Sequence, residues 1–323
     1  MVKSMKLKYD CMEYLKKQDV PWVEYGVSKF LEKDEATAEE KKKRLFECTE
    51  VKETIEIVEQ WPEPPLVRHN DVNHPIHKAH LLLEMGLDST DKVLQDLANK
   101  IFEHQNEEGV FLSLLRVPES YGGAKEAHMD WLMCDLPLLI HFLLAVGYKG
   151  DERVQKGIRF LISKGEDNGW RCCGSIRKFR GPGRKTDYCP IGSLWSLQVF
   201  SLLPEYHNEK FVENAIDSIC SHWRNTKERK IYMFAMGTDF KKLKYPNHWY
   251  DIIHVVQVLS KFEYAKQKEA YNEMLAVILN KQKEDGSFIP ESQFTGYKGW
   301  DFGQKKISSP TLTLTIAKLA ADI

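Results

Sequence analysis

Apolar side chains recur along this chain at spacings of three and four, the period that lays them along one face of an α-helix. The two-residue alternation of a half-buried strand is scarce. Leu81 to Met85 leads to a helix-stopping Gly86; Val93, Leu94, Leu97, Ala98, Ile101 and Phe102 then form one helical face, and Val154, Ile158, Leu161 and Ile162 form the next. Further helices are predicted over 194–203, 211–223, 251–262, 270–281 and 312–321. Trp131 to Val146 is so apolar that it is predicted as a single buried helix ending at Gly147. Short turns with Gly, Pro or Asp-Gly separate these stretches, so the expected class is all-α, built from helical hairpins.

Three helix ends carry a related turn: Gln105 to Phe111 around Gly109, Gly165 to Trp170 around Gly169, and Gln282 to Phe288 around Gly286. The glycines stand 60 and 117 residues apart, and 117 is close to two units of 60, so a degenerate copy is expected near residue 228. His222 to Tyr232 lies there, without the glycine but with the aromatic residue. In such a turn Gly supplies a positive φ, the acids and amides cap backbone N–H groups, and the aromatic side chain wedges between neighbouring units. Units of two helices bury their faces by stacking. Ordinary helix caps at coincidental spacing are the plainer alternative.

Composition narrows the function classes. With 323 residues, 42% hydrophobic and 29% charged, the chain is neither disordered nor a small disulfide scaffold. Its 46 basic and 47 acidic residues leave a net charge of −1, which removes any global attraction to nucleic acid or anionic membrane. No apolar run follows the amino-terminal lysines, and Leu136 to Val146 is interrupted by His141, so neither a signal peptide nor a membrane span is predicted. Seven scattered cysteines fit reduced thiols in a cytoplasmic setting. Lys29 to Arg44 reads as a solvated helix face, and the rigid Trp61 to Pro65 break after it predicts an N-terminal helical extension over 1–65 and a main domain over 66–323.

Candidate chemistry is densest between Arg177 and Pro190. Arg177, Lys178, Arg180, Arg184 and Lys185 lie on a Gly/Pro loop that opens a helix, a setting that offers guanidinium groups and helix-start amides to a phosphate or diphosphate. A solvated basic loop is the bland reading. Asp187 and Cys189 follow two residues apart, and a carboxylate with a thiolate suits zinc if an imidazole completes the set. His254 offers that imidazole, on one helical face with Asp251 and Tyr250. One of Asp251 and His254 would then be a ligand and the other its orienting partner. Alternatively, Asp251 is a first-turn acid and His254 a satisfied core histidine. Asp135, beside Cys134, is a candidate lone buried acid or a helix cap. His69, His74, His77 and His80 form a second cluster in which Pro75 starts a helix and His74 is its cap-region neighbour; of the adjacent Cys172 and Cys173, one at most is expected to face a site.

The hairpin repeats with Gly-aromatic turns resemble the α/α-toroid superfamily of squalene and other class II terpene cyclases and protein prenyltransferase β subunits. Gly183 to Cys189, with Trp195 beyond, is similar to the prenyltransferase pattern in which a basic loop runs into an Asp-x-Cys pair at a helix start. Where that family places its third zinc ligand, a His after two aromatic residues, this chain has Asp251 after Trp249 and Tyr250, with His254 one turn on. The chain is also similar to bacterial proteins described as prenyltransferase-like or squalene-cyclase-like. The repeat resemblance covers about residues 66–323, the specific motif far less.

The resemblance implies an α/α toroid around an apolar cavity, and an enzyme acting on an isoprenoid or other apolar substrate with a phosphate head. Zinc would be held by Asp187, Cys189 and His254, with Asp187, Cys189 and Asp251 in the catalytic machinery. Arg177, Arg180, Arg184 and Lys185, with Trp249 and Tyr250, would bind substrate. The Asp-x-Asp-Asp acid of class II cyclases is missing from the sequence. A metal-independent cyclase would therefore rely on Asp135 alone. A third expectation is a non-catalytic toroid that binds an apolar ligand.

Overall fold

The computed structural model describes residues 6–176, 179, 184, 186–228, 231 and 233–322. In chain order the first helices are α1 (Met12–Lys16), α2 (Pro21–Gly26), α3 (Glu35–Glu47), α4 (Thr49–Glu59), α5 (Pro75–Met85), α6 (Lys92–Phe102) and α7 (Leu136–Ala145). There follow α8 (Glu152–Ser163), α9 (Pro190–Ser201), α10 (Lys210–Arg224), α11 (Ile252–Leu259), α12 (Glu263–Lys266), α13 (Glu269–Leu279) and α14 (Pro310–Ala321). Strand is confined to two small antiparallel ladders among the described residues, β1 (Ser113–Leu115) with β2 (His128–Asp130) and β3 (Gly165–Glu166) with β4 (Gly169–Trp170). The protein is mostly helical, as the period of its apolar positions predicts.

Contacts divide the chain into two compact units, one of Met1–Thr54, Glu84–Gly86 and Met236–Ile323, the other of Ile55–Leu83 and Leu87–Ala235. The 1–65 segment is thereby shared between them. In the first unit α2 packs on α3 and α14, and α11 packs on α13. The Trp22 indole donates to Thr311 Oγ1 at 2.6 Å and its ring lies 4.7 Å from that of Trp300, so residues near both ends of the sequence share one core. In the second unit α7 packs on α9, α8 on α7, and α10 on α9 and β4.

Two helix types alternate. Helices α6, α8 and α10 each bury one face; in α6 that face is Leu94, Leu97, Ala98 and Ile101. Helices α7, α9 and α14 bury nearly every side chain. The N-caps of α7, α9, α11 and α14 are Asp135, Cys189, Asp251 and Ser309, at successive spacings of 54, 62 and 58 residues. That is the repeat length the turn glycines predict.

The turns are built alike. Gly109, Gly169 and Gly286 all have positive φ, and the aromatic side chains after them, Phe111, Trp170 and Phe288, are fully buried. The Gln105 and Gln282 amides donate to the carbonyls of Gly109 and Gly286 at 2.8 and 3.0 Å. Trp170 N–H donates to Ser193 Oγ at 2.9 Å, and Phe288 N–H to Thr313 Oγ1 at 3.0 Å. Returning, the N-cap amides of Cys189 and Ser309 donate to the carbonyls of Trp170 and Phe288. Part of the copy expected near residue 228 falls on residues 229, 230 and 232, outside those described.

One predicted helix is shorter than expected. The chain from Trp131 to Met133 is extended, with Leu132 bridging Gly174 and Met133 N–H donating to the Cys173 carbonyl at 2.8 Å; α7 starts only at Leu136. Pro137 fits a first helical turn, where its missing N–H is no loss, and not a helix interior.

Candidate functional site

The backbone pairing just described decides which side chains meet. It carries the turn into α7, with Cys134 and Asp135, alongside the segment that follows β4. Gly174 allows the close approach: a Cβ there would stand 2.4 Å from Leu132 Cδ2 and 2.6 Å from the Trp131 carbonyl oxygen. A second tether, Cys189 N–H to the Trp170 carbonyl at 2.7 Å, brings the start of α9 to the end of β4. Residue 69 arrives from the loop before α5, which is anchored where Leu66 pairs with β1 and where His77 Nε2 donates to the His69 carbonyl at 2.7 Å.

The result is a cluster of metal-binding residue types. Donor atoms of His69, Cys134 and Asp135 all lie within 4.8 Å of one another. His69 Nδ1 donates to Asp135 Oδ1 at 2.8 Å; Asp135 is 2% exposed, whereas His69 is 30% exposed and reachable from solvent. The second carboxylate oxygen, Asp135 Oδ2, is buried without a hydrogen-bond partner. The thiols of Cys172 and Cys189 are electrostatic neighbours of Cys134, and Cys189 Sγ accepts from Gly192 N–H at 3.4 Å. Cys173 directs its backbone, rather than its thiol, into the pairing with Met133.

Electrostatics follow from burial and crowding. Burial opposes the charged form of His69, but the charge and hydrogen bond of Asp135, helped by Cys189, outweigh it and raise the imidazole. Contact with Cys172 favours the Cys134 thiolate, yet burial and the Asp135 charge push that thiol up to about 12. Contact with Cys134 raises Cys172, and contact with Cys172 together with burial raises Cys189 well above the ordinary thiol range. Several anions cannot share so small a buried volume on their own; a bound divalent cation reverses that balance, since it stabilises each thiolate it touches.

Among the described residues the donor atoms that come together are those of His69, Cys134 and Asp135, in the compact unit that also holds the predicted ligands Asp187 and Cys189. Asp187 Oδ2 accepts from Arg184 N–H at 2.9 Å, closing its own turn, while Tyr188 lines a polar cavity of about 300 Å³ with Asp217, Ser221 and His222. Cys189 is the N-cap of α9, its Sγ accepting from Gly192 N–H at 3.4 Å. His254 and Asp251 belong to the other compact unit. There Asp251 is the N-cap of α11, accepting from His254 N–H at 3.1 Å, and His254 Nδ1 donates to the Trp249 carbonyl at 2.8 Å. Tyr250 is buried beside Phe240. These are the first-turn acid and bonded core histidine that the sequence also permitted. Arg177, Arg180 and Lys185 lie outside the described residues, and Arg184 is exposed.

His74 and His77 belong to the support of the loop before α5 and not to a second metal group. Burial and the proximity of His77 lower His74 to about 3, and burial also lowers His77, so both imidazoles stay neutral at ordinary pH. His80 Nε2 donates to the Leu138 carbonyl at 3.1 Å. His69, the histidine of this series that reaches the cluster, was marked in the sequence only as a member of the series. Its distinguishing sign is that it precedes the capped helix start by several residues, where a side chain is free of the helix.

No protein-family model matches the chain, and no curated protein is significantly similar to it.

Proposed function

We propose that this protein is a zinc-dependent enzyme of the isoprenoid class, a transferase or cyclase acting on an apolar substrate with a phosphate head, whose metal centre is built on His69, Cys134 and Asp135. The observation that carries this reading is the convergence of those three residues at the start of the all-round-buried α7. The donors fit the ion: sulfur and imidazole nitrogen are zinc's preferred ligands, and Asp135 Oδ2 is buried with no hydrogen-bond partner among the described residues. When bound, zinc supplies fixed positive charge that keeps thiolates ionised and favours an anionic head group nearby.

The chain's own residues do the rest. Asp135 holds the His69 ring through Nδ1 and so fixes which nitrogen is presented. In the sequence, Arg177, Lys178, Arg180, Arg184 and Lys185 stand between Cys172 and Cys189, a density of cations suited to an anionic head group. The alternation of amphipathic and fully buried helices, with N-caps at a constant repeat, supports stacking of the hairpins into an α/α toroid. Seven free thiols suit a reducing compartment, in keeping with a cytoplasmic enzyme.

The test is titration of zinc-loaded protein with linear prenyl diphosphates of increasing chain length, following heat and diphosphate release. Saturable binding and diphosphate release that vanish in His69→Ala are expected; inorganic diphosphate binding as tightly as every prenyl diphosphate, with no turnover, would contradict the reading. A metal-free cyclase reading has one supporting observation, the buried Asp135, but that acid is paired with His69 and not alone.

A further inference from the structure

Helix α10 spends its apolar face, Val212, Ala215, Ile216 and Ile219, on its neighbours, and a second stripe runs along it. Asn214, Asp217, Ser218, Ser221, His222 and Asn225 recur at helical spacing and share one side over about 16 Å of the axis. A solvated helix side ordinarily carries long charged side chains. This stripe carries short polar groups and a histidine, and it forms one wall of the polar cavity of about 300 Å³. The opposite wall is tethered. Asn168, in the turn between β3 and β4, donates through Nδ2 to the Thr186 carbonyl at 3.2 Å, and the Tyr188 hydroxyl donates to the Ser218 carbonyl at 3.2 Å. Gly169 lets that turn lie against α9 and α10: a Cβ there would stand 2.6 Å from Ser193 Oγ and 3.8 Å from Ala215 Cβ. The cavity is therefore built by three elements of one compact unit.

The lining chemistry selects the occupant. Asp167 and Asp217 contribute two carboxyl groups, and among the described residues that line the cavity none is a lysine or arginine. Side-chain donors are turned onto the chain: besides those of Asn168 and Tyr188, Asn225 Nδ2 donates to Ser221 Oγ at 3.1 Å. An amide whose N–H is engaged offers its oxygen, so the walls present chiefly acceptors and suit a ligand that is cationic and rich in N–H donors. Tyr188 and His222, both buried, meet edge to face with ring centroids 6.5 Å apart, and Ile231 adds an aliphatic surface. Aromatic and aliphatic walls beside carboxylates accept an ammonium group together with its methylenes. We propose that this cavity binds a linear aliphatic polyamine, with ammonium groups on Asp167 and Asp217 and methylenes against Tyr188 and Ile231. The length of the stripe favours an extended ligand over a compact one. None of these residues belongs to the metal centre, so the two sites stand or fall separately.

Calorimetric titration of the full chain with spermidine tests this, with 1,8-octanediol and magnesium chloride as comparison ligands. Wild-type protein is expected to bind spermidine saturably at one site. Asp217→Asn should weaken that binding about tenfold or more. Ser221→Lys, which puts a cation on the stripe, should abolish it, and Glu107→Gln, at an exposed carboxylate away from the cavity lining, should leave it unchanged. Spermidine binding equal in the wild type, Asp217→Asn and Ser221→Lys would be general attraction to surface charge and would overturn the proposal. Octanediol binding as tightly as spermidine, magnesium displacing spermidine mole for mole, or no spermidine binding by the wild type would each overturn it too. Ser221 is exposed, so its variant keeps the test decisive even if Asp217→Asn fails to fold.

Discussion

Asp251 shows how one residue type supports two readings that only its surroundings separate. As the N-cap of α11 it is 5% exposed, one oxygen accepts from His254 N–H, and the other is buried without a hydrogen-bond partner. Burial pushes its carboxyl up to about 7, against the pull of the His254 amide and the Lys244 charge. The unfolded chain ionises this group near pH 4 while the folded chain keeps the proton, so its stabilising contribution is complete below about pH 4 and is lost as pH rises towards 7. Asn retains the capping oxygen without the titration. Asp251→Asn is therefore expected to match the parent near pH 4 and to exceed it above pH 7 by on the order of 4 kcal/mol, measured by urea unfolding across that range. Equal pH slopes for the two proteins would refute this account.

At the scale of elements, the hairpin unit is held by a contact that recurs in both compact units. Ser193 and Thr313 occupy the same position four residues after the N-caps of α9 and α14, and each accepts the backbone N–H of the aromatic residue at the preceding turn. Both are fully buried, so removing the acceptor leaves an N–H unpaired in the core. Ser193→Ala and Thr313→Val are each expected to destabilise by about 1 to 3 kcal/mol in denaturant unfolding. A loss in one and none in the other would show that the two contacts are not equivalent parts of a repeat. Helix positions were legible in the sequence because a three-to-four period is a local signal. The start of α7 was not: the extended backbone of 131–133 is imposed by pairing with 173–175, some forty residues away, and apolar composition carries no trace of that.

At the scale of the molecule, the candidate site was legible in parts and not in assembly. Cys134, Asp135 and Cys189 stand out in the sequence and His69 only as one of a histidine series, while spacing within one segment drew Asp187 to Cys189; in the structure Asp187 accepts from Arg184 N–H and Cys189 Sγ from Gly192 N–H. Which side chains meet is decided by tertiary tethers, here the Leu132 bridge to Gly174 and the pairing of Leu66 with β1. A usable hint was the periodic N-cap position itself, which places Asp135 and Cys189 at equivalent points of successive hairpins. Among the described residues no helix is long and apolar enough to cross a membrane, in line with the sequence. The measurement that bears most directly on this account is zinc per chain, by elemental analysis of protein purified without a histidine tag, for the wild type beside Cys134→Ala, Asp187→Ala and His254→Ala. About one zinc in the wild type, kept in the Asp187 and His254 variants and lost in the Cys134 variant, is expected. Zinc lost with Asp187 or His254 and kept without Cys134, or no zinc in any of the four, would contradict it.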